Sequence, residues 1–303
     1  MQRPRSLAVL MTSHNRREVT LRCLAALAEQ SGLENVVMTI ILVDDGSSDG
    51  TAQAVADQFP GVRVLAGDGS LYWVGGMRKA MAVAIAEAFD LYLWLNDDTR
   101  LFSESIARLT HTMSQLQQCD DRPIIVVGST LDPNTGEVSY GGFTRDVGPI
   151  ANRLRRVAPS DHAIECDTMN GNCVLIALSV VERLGNLDHR FTHSMADLDY
   201  GFRAKRAGCL VSLAPGYVGQ CVQNSGDGLW EDKKLPTIAR WKKLLGPKGL
   251  PPSEWLWFTK RHGGRFWPLI WISPYLRFWM KDFIARLPVA LRKTHDKARG
   301  AVR

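Results

Sequence analysis

The chain has 303 residues, of which 45% are hydrophobic and 22% charged, a composition typical of a globular protein with one large domain and an extension. A membrane-spanning helix needs about 18 apolar residues, and no apolar run of the chain is that long. The first apolar run, residues 7–11, is too short for the core of a signal peptide. We therefore expect neither membrane crossing nor secretion. The net charge of +6 divides unevenly, because Lys and Arg number 17 from Lys233 onward against three acidic residues.

Four strands are predicted to alternate with helices in the first 95 residues. Such alternation indicates a parallel sheet with right-handed crossovers, covered by helices on both faces. The predicted strands are 7–11, 38–43, 63–66 and 91–95, the helices lie near 19–28 and over 51–59 and 77–89, and a glycine-rich loop covers 67–76.

The pattern changes after a predicted helix over 103–118. A turn signal at 132–136 lies between strand-like segments and indicates an antiparallel excursion. We therefore expect an α/β fold, a mostly parallel Rossmann-like sheet flanked by helices with a small antiparallel excursion. The remaining strands are predicted at 124–128, 173–178 and 209–214, and the remaining helices at 180–184 and 198–207.

Two pairs of adjacent carboxylates follow predicted strands. Asp44 and Asp45 follow the second strand, and Asp97 and Asp98 follow the fourth. Open α/β sheets bind ligands at this edge, and carboxylate oxygens suit Mg²⁺ or Mn²⁺ that holds a substrate diphosphate. A carboxylate can also accept the imino N–H of a pyrimidine base. The alternative is structural, since the first pair would serve a turn and helix entrance, and the second a polar loop with Thr99 as a helix cap.

The six cysteines show no paired short spacing of the zinc or redox kind. Several lie in apolar segments, so we expect small buried side chains in a reducing compartment, and a cytoplasmic location.

Five segments together resemble the successive motifs of glycosyltransferase family 2, the inverting enzymes with the GT-A fold. The resemblance covers about residues 5 to 226, and the order and spacing of the motifs make it specific. The segments are LMTSHNR (10–16), LVDDGSSDGT (42–51), LNDDT (95–99), MNGNCVLI (169–176) and LGNLD (184–188).

The resemblance implies roles for the residues at the sheet edge. Thr12 and Asp44 would hold the nucleoside of a nucleoside-diphosphate sugar. Asp45 and Asp97 would support the ribose or the sugar, and Asp98 would bind Mg²⁺ or Mn²⁺.

The segment beginning at Met195 resembles the family's Glu-Asp-x-Asp stretch, in which Asp197 would be the general base that deprotonates the acceptor hydroxyl. A capping box between Ser194 and Asp197 is the structural alternative. Asp199 and Arg203, four residues apart, are expected to form a structural ion pair.

Two departures from the family pattern concern the metal and the acceptor. Ala196 stands where the family usually has Glu, and residues 221–227 lack the histidine that many members supply to the metal or the diphosphate. Asn224 or Asp227 could substitute, or the metal could depend on Asp98, donor oxygens and water. These departures motivate an alternative function, a non-catalytic nucleotide- or glycan-binding subunit of a polysaccharide assembly complex.

The loop 67–76 resembles the donor-side loop of bacterial rhamnosyltransferases in this family, with Trp73 near the nucleotide and Arg78 near its phosphates. A plain glycine-rich connection is the alternative. The resemblance implies dTDP-rhamnose or a UDP-sugar as donor and a glycan or lipid-linked acceptor in bacterial surface polysaccharide synthesis, lipopolysaccharide included.

The basic segment from Lys233 holds six of the nine tryptophans. We expect residues 1–232 to form the GT-A domain and residues 233–303 a helical extension. Interleaved Trp and Lys or Arg predicts peripheral contact with the anionic inner face of the cytoplasmic membrane. The alternatives are packing of the tryptophans on the catalytic domain and nucleic-acid binding, of which the latter is not expected.

Overall fold

The computed structural model describes residues 3–146, 153–223 and 228–286. The chain divides into two compact units, Met1–Ser225 and Gly226–Arg303. This division falls before the boundary that the sequence predicted between residues 232 and 233.

The first unit contains the alternating strands and helices that the sequence predicted, with additional short strands. Its helices are α1 (Arg17–Ala28), α2 (Thr51–Gln58), α3 (Tyr72–Ala86), α4 (Ser105–Cys119), α5 (Leu178–Leu184) and α6 (Ala196–Arg206). Its strands are β1 (Arg5–Ser13), β2 (Val36–Asp44), β3 (Arg63–Ala66), β4 (Leu91–Leu95), β5 (Arg100–Leu101), β6 (Ile124–Leu131), β7 (Val138–Tyr140), β8 (Gly142–Arg145), β9 (Leu154–Arg156), β10 (Ile164–Glu165), β11 (Thr168–Met169), β12 (Cys173–Ala177) and β13 (Leu210–Gln220).

The large sheet has the order β10-β13-β6-β12-β4-β1-β2-β3, with β5 added to β13 and β7 to β6. Strands β4, β1, β2 and β3 are mutually parallel, whereas β12 runs antiparallel to both of its neighbours, β4 and β6. A separate antiparallel sheet has the order β11-β8-β9. The predicted α/β class and antiparallel excursion are confirmed.

The central parallel strands β1 and β4 are mostly buried because helices cover them, and their sequences are accordingly apolar runs. All five residues of β4 are buried, and Trp94 and Tyr92 are among the largest fully buried side chains. Trp94 packs edge-on against Tyr200 of α6 at 4.9 Å between ring centroids. The core therefore joins the sheet to the helix that carries the predicted base.

The two largest boundary errors are at the start of α3 and the end of β13. Helix α3 begins at Tyr72, inside the predicted loop 67–76, because the carboxylate of Asp45 accepts the N–H groups of Leu71 and Tyr72 at the helix start. Strand β13 continues beyond the predicted end at residue 214. Its register shifts between Leu213 and Tyr217, where a proline that lacks an N–H and a glycine at φ 63° interrupt the ladder, and pairing with β6 then resumes.

The six cysteines are all free. Five are buried as predicted, but Cys119 is exposed because it lies at the end of α4.

The second unit consists of helices around an aromatic core. Leu244, Tyr275 and Phe278 are buried at its centre, and Trp241, Trp255 and Trp271 are among the side chains packed against them. No helix among residues 228–286, or in the described part of the first unit, combines the length and hydropathy needed to cross a membrane. Its helices are α7 (Thr237–Leu245), α8 (Pro252–His262) and α9 (Trp267–Arg286), with a 3₁₀ turn at Gly264–Phe266.

Helix α9 continues through Pro274. Proline lacks the N–H that would bond to the carbonyl of Ile270. The hydroxyl of Ser273 donates to that carbonyl instead, at 3.1 Å.

Gly128 offers a test of how tightly the centre of the sheet is packed. A Cβ at Gly128 in β6 would overlap Cγ2 of Val218 and stand 3.2 Å from Sγ of Cys173. We expect Gly128→Ala to lower the free energy of unfolding by about 1–3 kcal/mol through overpacking. Chemical denaturation measures this change. Gly61→Ala is the control, because a Cβ at Gly61 meets nothing within 4 Å, and an equal loss in both variants would contradict the packing argument.

Candidate active site

The ends of four neighbouring strands meet at one edge of the large sheet. Ser13 at the end of β1 pairs with Asp44 at the end of β2, and β4 ends beside them at Leu95. Cys173, at the start of the antiparallel β12, lies opposite Leu95. The edge therefore collects the residues that follow β1, β2 and β4 and those that precede β12, which places both carboxylate pairs together as the sequence predicted.

A guanidinium group that the sequence did not assign lies between the second pair of carboxylates. Arg16 donates to Oδ2 of Asp98 at 2.7 Å and lies 3.4 Å from Oδ1 of Asp97. It stands at the start of α1, directly after the polar corner that follows β1. The sequence signal that could have identified Arg16 is a basic residue directly after β1, next to the edge that collects four carboxylates. Thr99 is followed at once by β5, so it does not cap a helix.

Asp97 is buried, with a side chain only 6% exposed. Burial raises its pKa to about 6, because desolvation of the charged form outweighs the favourable charge of Arg16, and the nearby Asp98 raises it further. The hydroxyl of Thr20 lies 3.4 Å from Oδ2 of Asp97 and is itself hydrogen-bonded to Ser13. Asp97 is therefore held by its neighbours rather than by solvent.

The first pair of carboxylates is held mainly by backbone N–H groups. Asp44 accepts from the N–H and the hydroxyl of Ser47. Asp45 accepts the N–H groups of Gly69 at 2.9 Å, Leu71 at 3.3 Å and Tyr72 at 3.0 Å, so both of its oxygens hold the loop that enters α3. The structural alternative thus describes Asp45 well, and its contact with a donor stays a prediction.

Helix α3 approaches the end of β1 closely. Gly76 lies against Thr12, so that a Cβ at Gly76 would overlap the Thr12 hydroxyl. Thr12 is half-buried and remains next to Ser13 at the sheet edge. This close approach brings the loop before α3 to the edge that holds Asp44.

Trp73 lies in the first turn of α3 and connects the two sides of the site. Its Nε1 donates to Oδ1 of Asn96 at 2.8 Å, directly before Asp97. Its six-membered ring packs on Gly171, where any Cβ would stand 2.6 Å from the ring and 3.3 Å from Cβ of Asp197. Trp73 thus belongs to the wall between the carboxylate edge and the predicted base.

Asp197 lies at the start of α6 and is half-buried. It accepts the N–H of Gly171 at 2.9 Å and the N–H of Leu198 at 2.8 Å. Desolvation raises its pKa although these bonds, together with Asn170, oppose the rise. The helix is capped at Met195, at φ 70°, without a side-chain bond, so the capping-box alternative with Ser194 is wrong.

Asp199 and Arg203 form the structural pair that the sequence predicted. Their atoms are 2.7 Å apart, and the Asp199 side chain is fully buried. Ala196, which stands where the resemblance expects Glu, is also fully buried.

Arg78 is engaged with the segment after α5. Its Nε donates to the carbonyl of Leu187 at 3.1 Å, and its own carbonyl accepts from Asn186 at 2.9 Å. Its assigned role at the phosphates stays a prediction.

The ligands that would accompany Asp98 at a metal ion stay unassigned in the described part of the chain. Among residues 3–146, 153–223 and 228–286, no group of three His, Cys, Asp or Glu side chains could hold a metal ion. Besides Arg16, Asp98 contacts Cys221, whose Sγ donates to Oδ1 of Asp98 at 3.4 Å. Asn224 and Asp227 lie outside the described residues.

The titration of Asp97 can be measured through stability. Its pKa is about 6 in the folded chain against an ordinary value of 3.8, so the native state binds the proton more tightly, and stability is lost as pH rises through this window. Asn cannot titrate, so we expect the stability of Asp97→Asn relative to the parent to rise by up to about 3 kcal/mol between about pH 4 and about pH 7. Urea unfolding at each pH measures the difference, and a difference independent of pH would contradict the raised pKa.

Solved structures share the fold of this chain. Crystal structures of S. aureus TarS 1-349 in complex with UDP and with UDP-GlcNAc superpose with TM-scores of 0.55 and 0.54 at 12% and 13% sequence identity. The first covers 94% of this chain and 76% of TarS, and the second 84% and 71%. At these identities the likeness concerns the fold, and it confirms the predicted GT-A arrangement.

Proteins of similar sequence are also glycosyltransferases. Two curated proteins from Mycobacterium tuberculosis strains are each named N-acetylglucosaminyl-diphospho-decaprenol L-rhamnosyltransferase. They are 25% identical over an alignment of 199 residues that covers 59% of this chain. The match spans 64% of the length of those relatives. Residues 8–169 match the family model described as Glycosyl transferase family 2. Because that model spans more than half of the chain, the chain belongs to glycosyl transferase family 2.

Proposed function

We propose that the chain is an inverting glycosyltransferase that moves a sugar from a nucleoside-diphosphate donor to a hydroxyl group of a glycan or glycolipid. The observation that carries this proposal is the position of Asp197, a carboxylate of raised pKa joined through Gly171 and Trp73 to the edge that holds Asp97 and Asp98. The named activity of the mycobacterial relatives favours dTDP-rhamnose and a lipid-linked acceptor, and the TarS complexes favour a UDP-sugar. Either donor fits a role in surface polysaccharide synthesis.

Asp197 would act as the general base. The acceptor oxygen forms a bond to the anomeric carbon of the sugar while the bond from that carbon to the diphosphate breaks, and the electron pair leaves with the diphosphate. Asp197 takes the proton of the acceptor hydroxyl. A carboxylate of raised pKa is a better base than an ordinary one, and the two backbone N–H bonds hold its orientation.

Asp98 is the described residue best suited to hold Mg²⁺ or Mn²⁺. Its oxygens are hard ligands, and such ions are commonly held by one or two carboxylates together with substrate phosphates and water. When bound, the ion would neutralise the charge that develops on the departing diphosphate. Arg16 already contacts Asp98, so Arg16 and a metal ion would share this carboxylate.

The nucleoside end would lie with Thr12 and Asp44. Asp44 stands at the carboxyl end of β2, where doubly wound sheets bind nucleotides. The donor would then extend across the edge toward Asp97. In the alternative, a non-catalytic binding subunit, Asp197 would only hold Gly171 and the start of α6 through its two backbone N–H bonds.

Asp197→Asn tests the catalytic proposal. We expect sugar transfer from dTDP-rhamnose or UDP-sugars to fall by about 10²–10⁴-fold, since Asn cannot take the proton. Binding of the nucleoside diphosphate, measured as a shift in thermal unfolding, should remain. Ser194→Ala is the control and should keep full activity, because α6 starts at Met195 without a side-chain cap. Transfer at the parental rate in Asp197→Asn would show that Asp197 is not the base, and nucleotide binding without any transfer by the parent would favour the binding subunit.

Arg16→Gln tests whether Asp98 holds the metal. The substitution frees one oxygen of Asp98 and removes a positive charge that would repel the ion. We therefore expect the affinity of the protein alone for Mn²⁺ to rise about fivefold or more. Asp98→Asn should abolish this binding. Electron paramagnetic resonance of free Mn²⁺ measures both, without donor or turnover.

Arg17→Gln is the matched control, because Arg17 is an exposed neighbour whose backbone N–H contacts Asp49. Equal gains in Arg16→Gln and Arg17→Gln would reduce the effect to net charge. Unchanged Mn²⁺ binding in Asp98→Asn would remove Asp98 as the ligand.

A further inference from the structure

Helix α9 carries an apolar surface that the core of the second unit does not use. Five large hydrophobic side chains in the described part of α9 are exposed, and one of them, Trp279 at 43%, also packs against Trp241. The other four are 65%, 55%, 55% and 66% exposed in chain order. Steps of seven, four and three residues place them on one face of a helix. We call this surface the α9 stripe, and its members are Leu269, Leu276, Met280 and Phe283.

The opposite side of the same helix is already committed to the core. Tyr275 and Phe278 are buried, and Trp241 packs against Phe278 at 5.2 Å between ring centroids. A helix with a second apolar face exposed to water indicates an interaction surface.

Basic side chains flank the α9 stripe. Arg277 and Lys281 are exposed and lie four residues apart, so they share one side of the stripe. Asp282, the acidic residue of α9, turns toward α7, where it accepts from Thr237 at 2.6 Å and lies 3.8 Å from Arg240. The surface around the stripe is therefore apolar and cationic.

We propose that the α9 stripe docks in the headgroup region of an anionic lipid bilayer, with the helix lying along the surface. Apolar side chains on one face and cations beside them are the two contributions that hold an interfacial helix on anionic lipid. A second copy of the chain would bring Arg277 and Lys281 against like charges. A nucleic acid would leave the four apolar side chains without a partner.

This proposal changes the basis of the membrane contact that the sequence suggested. The sequence argument depended on tryptophans, yet Trp241, Trp255 and Trp271 pack into the core of the unit. The indole N–H groups of Trp255 and Trp271 donate to the carbonyls of Trp271 and Pro252, at 3.1 Å and 3.0 Å. Trp279 of α9 is 43% exposed, but the stripe itself consists of Leu, Met and Phe side chains. The proposal does not depend on sugar transfer.

The test is cosedimentation of the full chain with vesicles of phosphatidylcholine alone and with vesicles that also contain phosphatidylglycerol. We expect binding to the anionic vesicles. The double variant Leu276→Ser and Phe283→Ser should bind them about tenfold more weakly, because apolar area is lost without a change of charge. Ile238→Ser, at a position 59% exposed on α7, is the control and should bind as the parent does.

Charge is tested separately with Arg277→Gln and Lys281→Gln together. This variant should lose much of its preference for anionic vesicles, and added salt should weaken the parent in the same direction. Failure of the parent to bind anionic vesicles would overturn the proposal, as would equal losses in Ile238→Ser and the stripe variant. A parental dimer in sedimentation velocity that the stripe variant abolishes would assign the stripe to a second copy. None of these readouts uses a donor, so they are independent of the proposed activity.

Discussion

The first unit depends on how negative charge is accommodated at one edge of the sheet. Parallel strands end on the same side, so the residues after β2 and β4 bring four carboxylates together. Like charges that are brought close together are costly unless cations or hydrogen-bond donors lie beside them. Arg16 supplies the cation for Asp97 and Asp98, and backbone N–H groups of the loop before α3 supply the donors for Asp45. The loop and the start of α1 are thereby held where a donor would bind.

The same edge is connected to the base by packing. Trp73 contacts Asn96 through its indole N–H and Gly171 through its ring, and the N–H of Gly171 bonds to Asp197. Because each member touches the next, displacement of the indole would disturb both sides of the site. A glycine at position 171 is required by this contact, since any Cβ there would overlap the indole ring.

Much of the fold was predictable because the strands of a covered parallel sheet are apolar runs whose ends are marked by polar motifs. Boundaries that depend on long-range partners were not. The start of α3 depends on Asp45, which lies 26 and 27 residues from the N–H groups that it accepts. The capping box predicted at Ser194 does not form, and Asp197 instead accepts the N–H of Gly171, 26 residues away. The cationic partner of Asp98 was missed for the same reason, since Arg16 lies 82 residues from it in the chain.

The sequence by itself determined the class of fold, the positions along the chain of the strands that carry the motifs, and the concentration of basic residues after Lys233. These features follow from periodicity, turn residues and charge, which are local properties. Only the tertiary structure decided which polar groups are already engaged and which apolar ones remain exposed. Asp97 acquires its raised pKa from burial by distant elements. In the second unit Trp241, Trp255 and Trp271 pack into the core, while Leu276 and Phe283 face outward. Both outcomes depend on which faces of the helices and strands pack together, which no local pattern specifies.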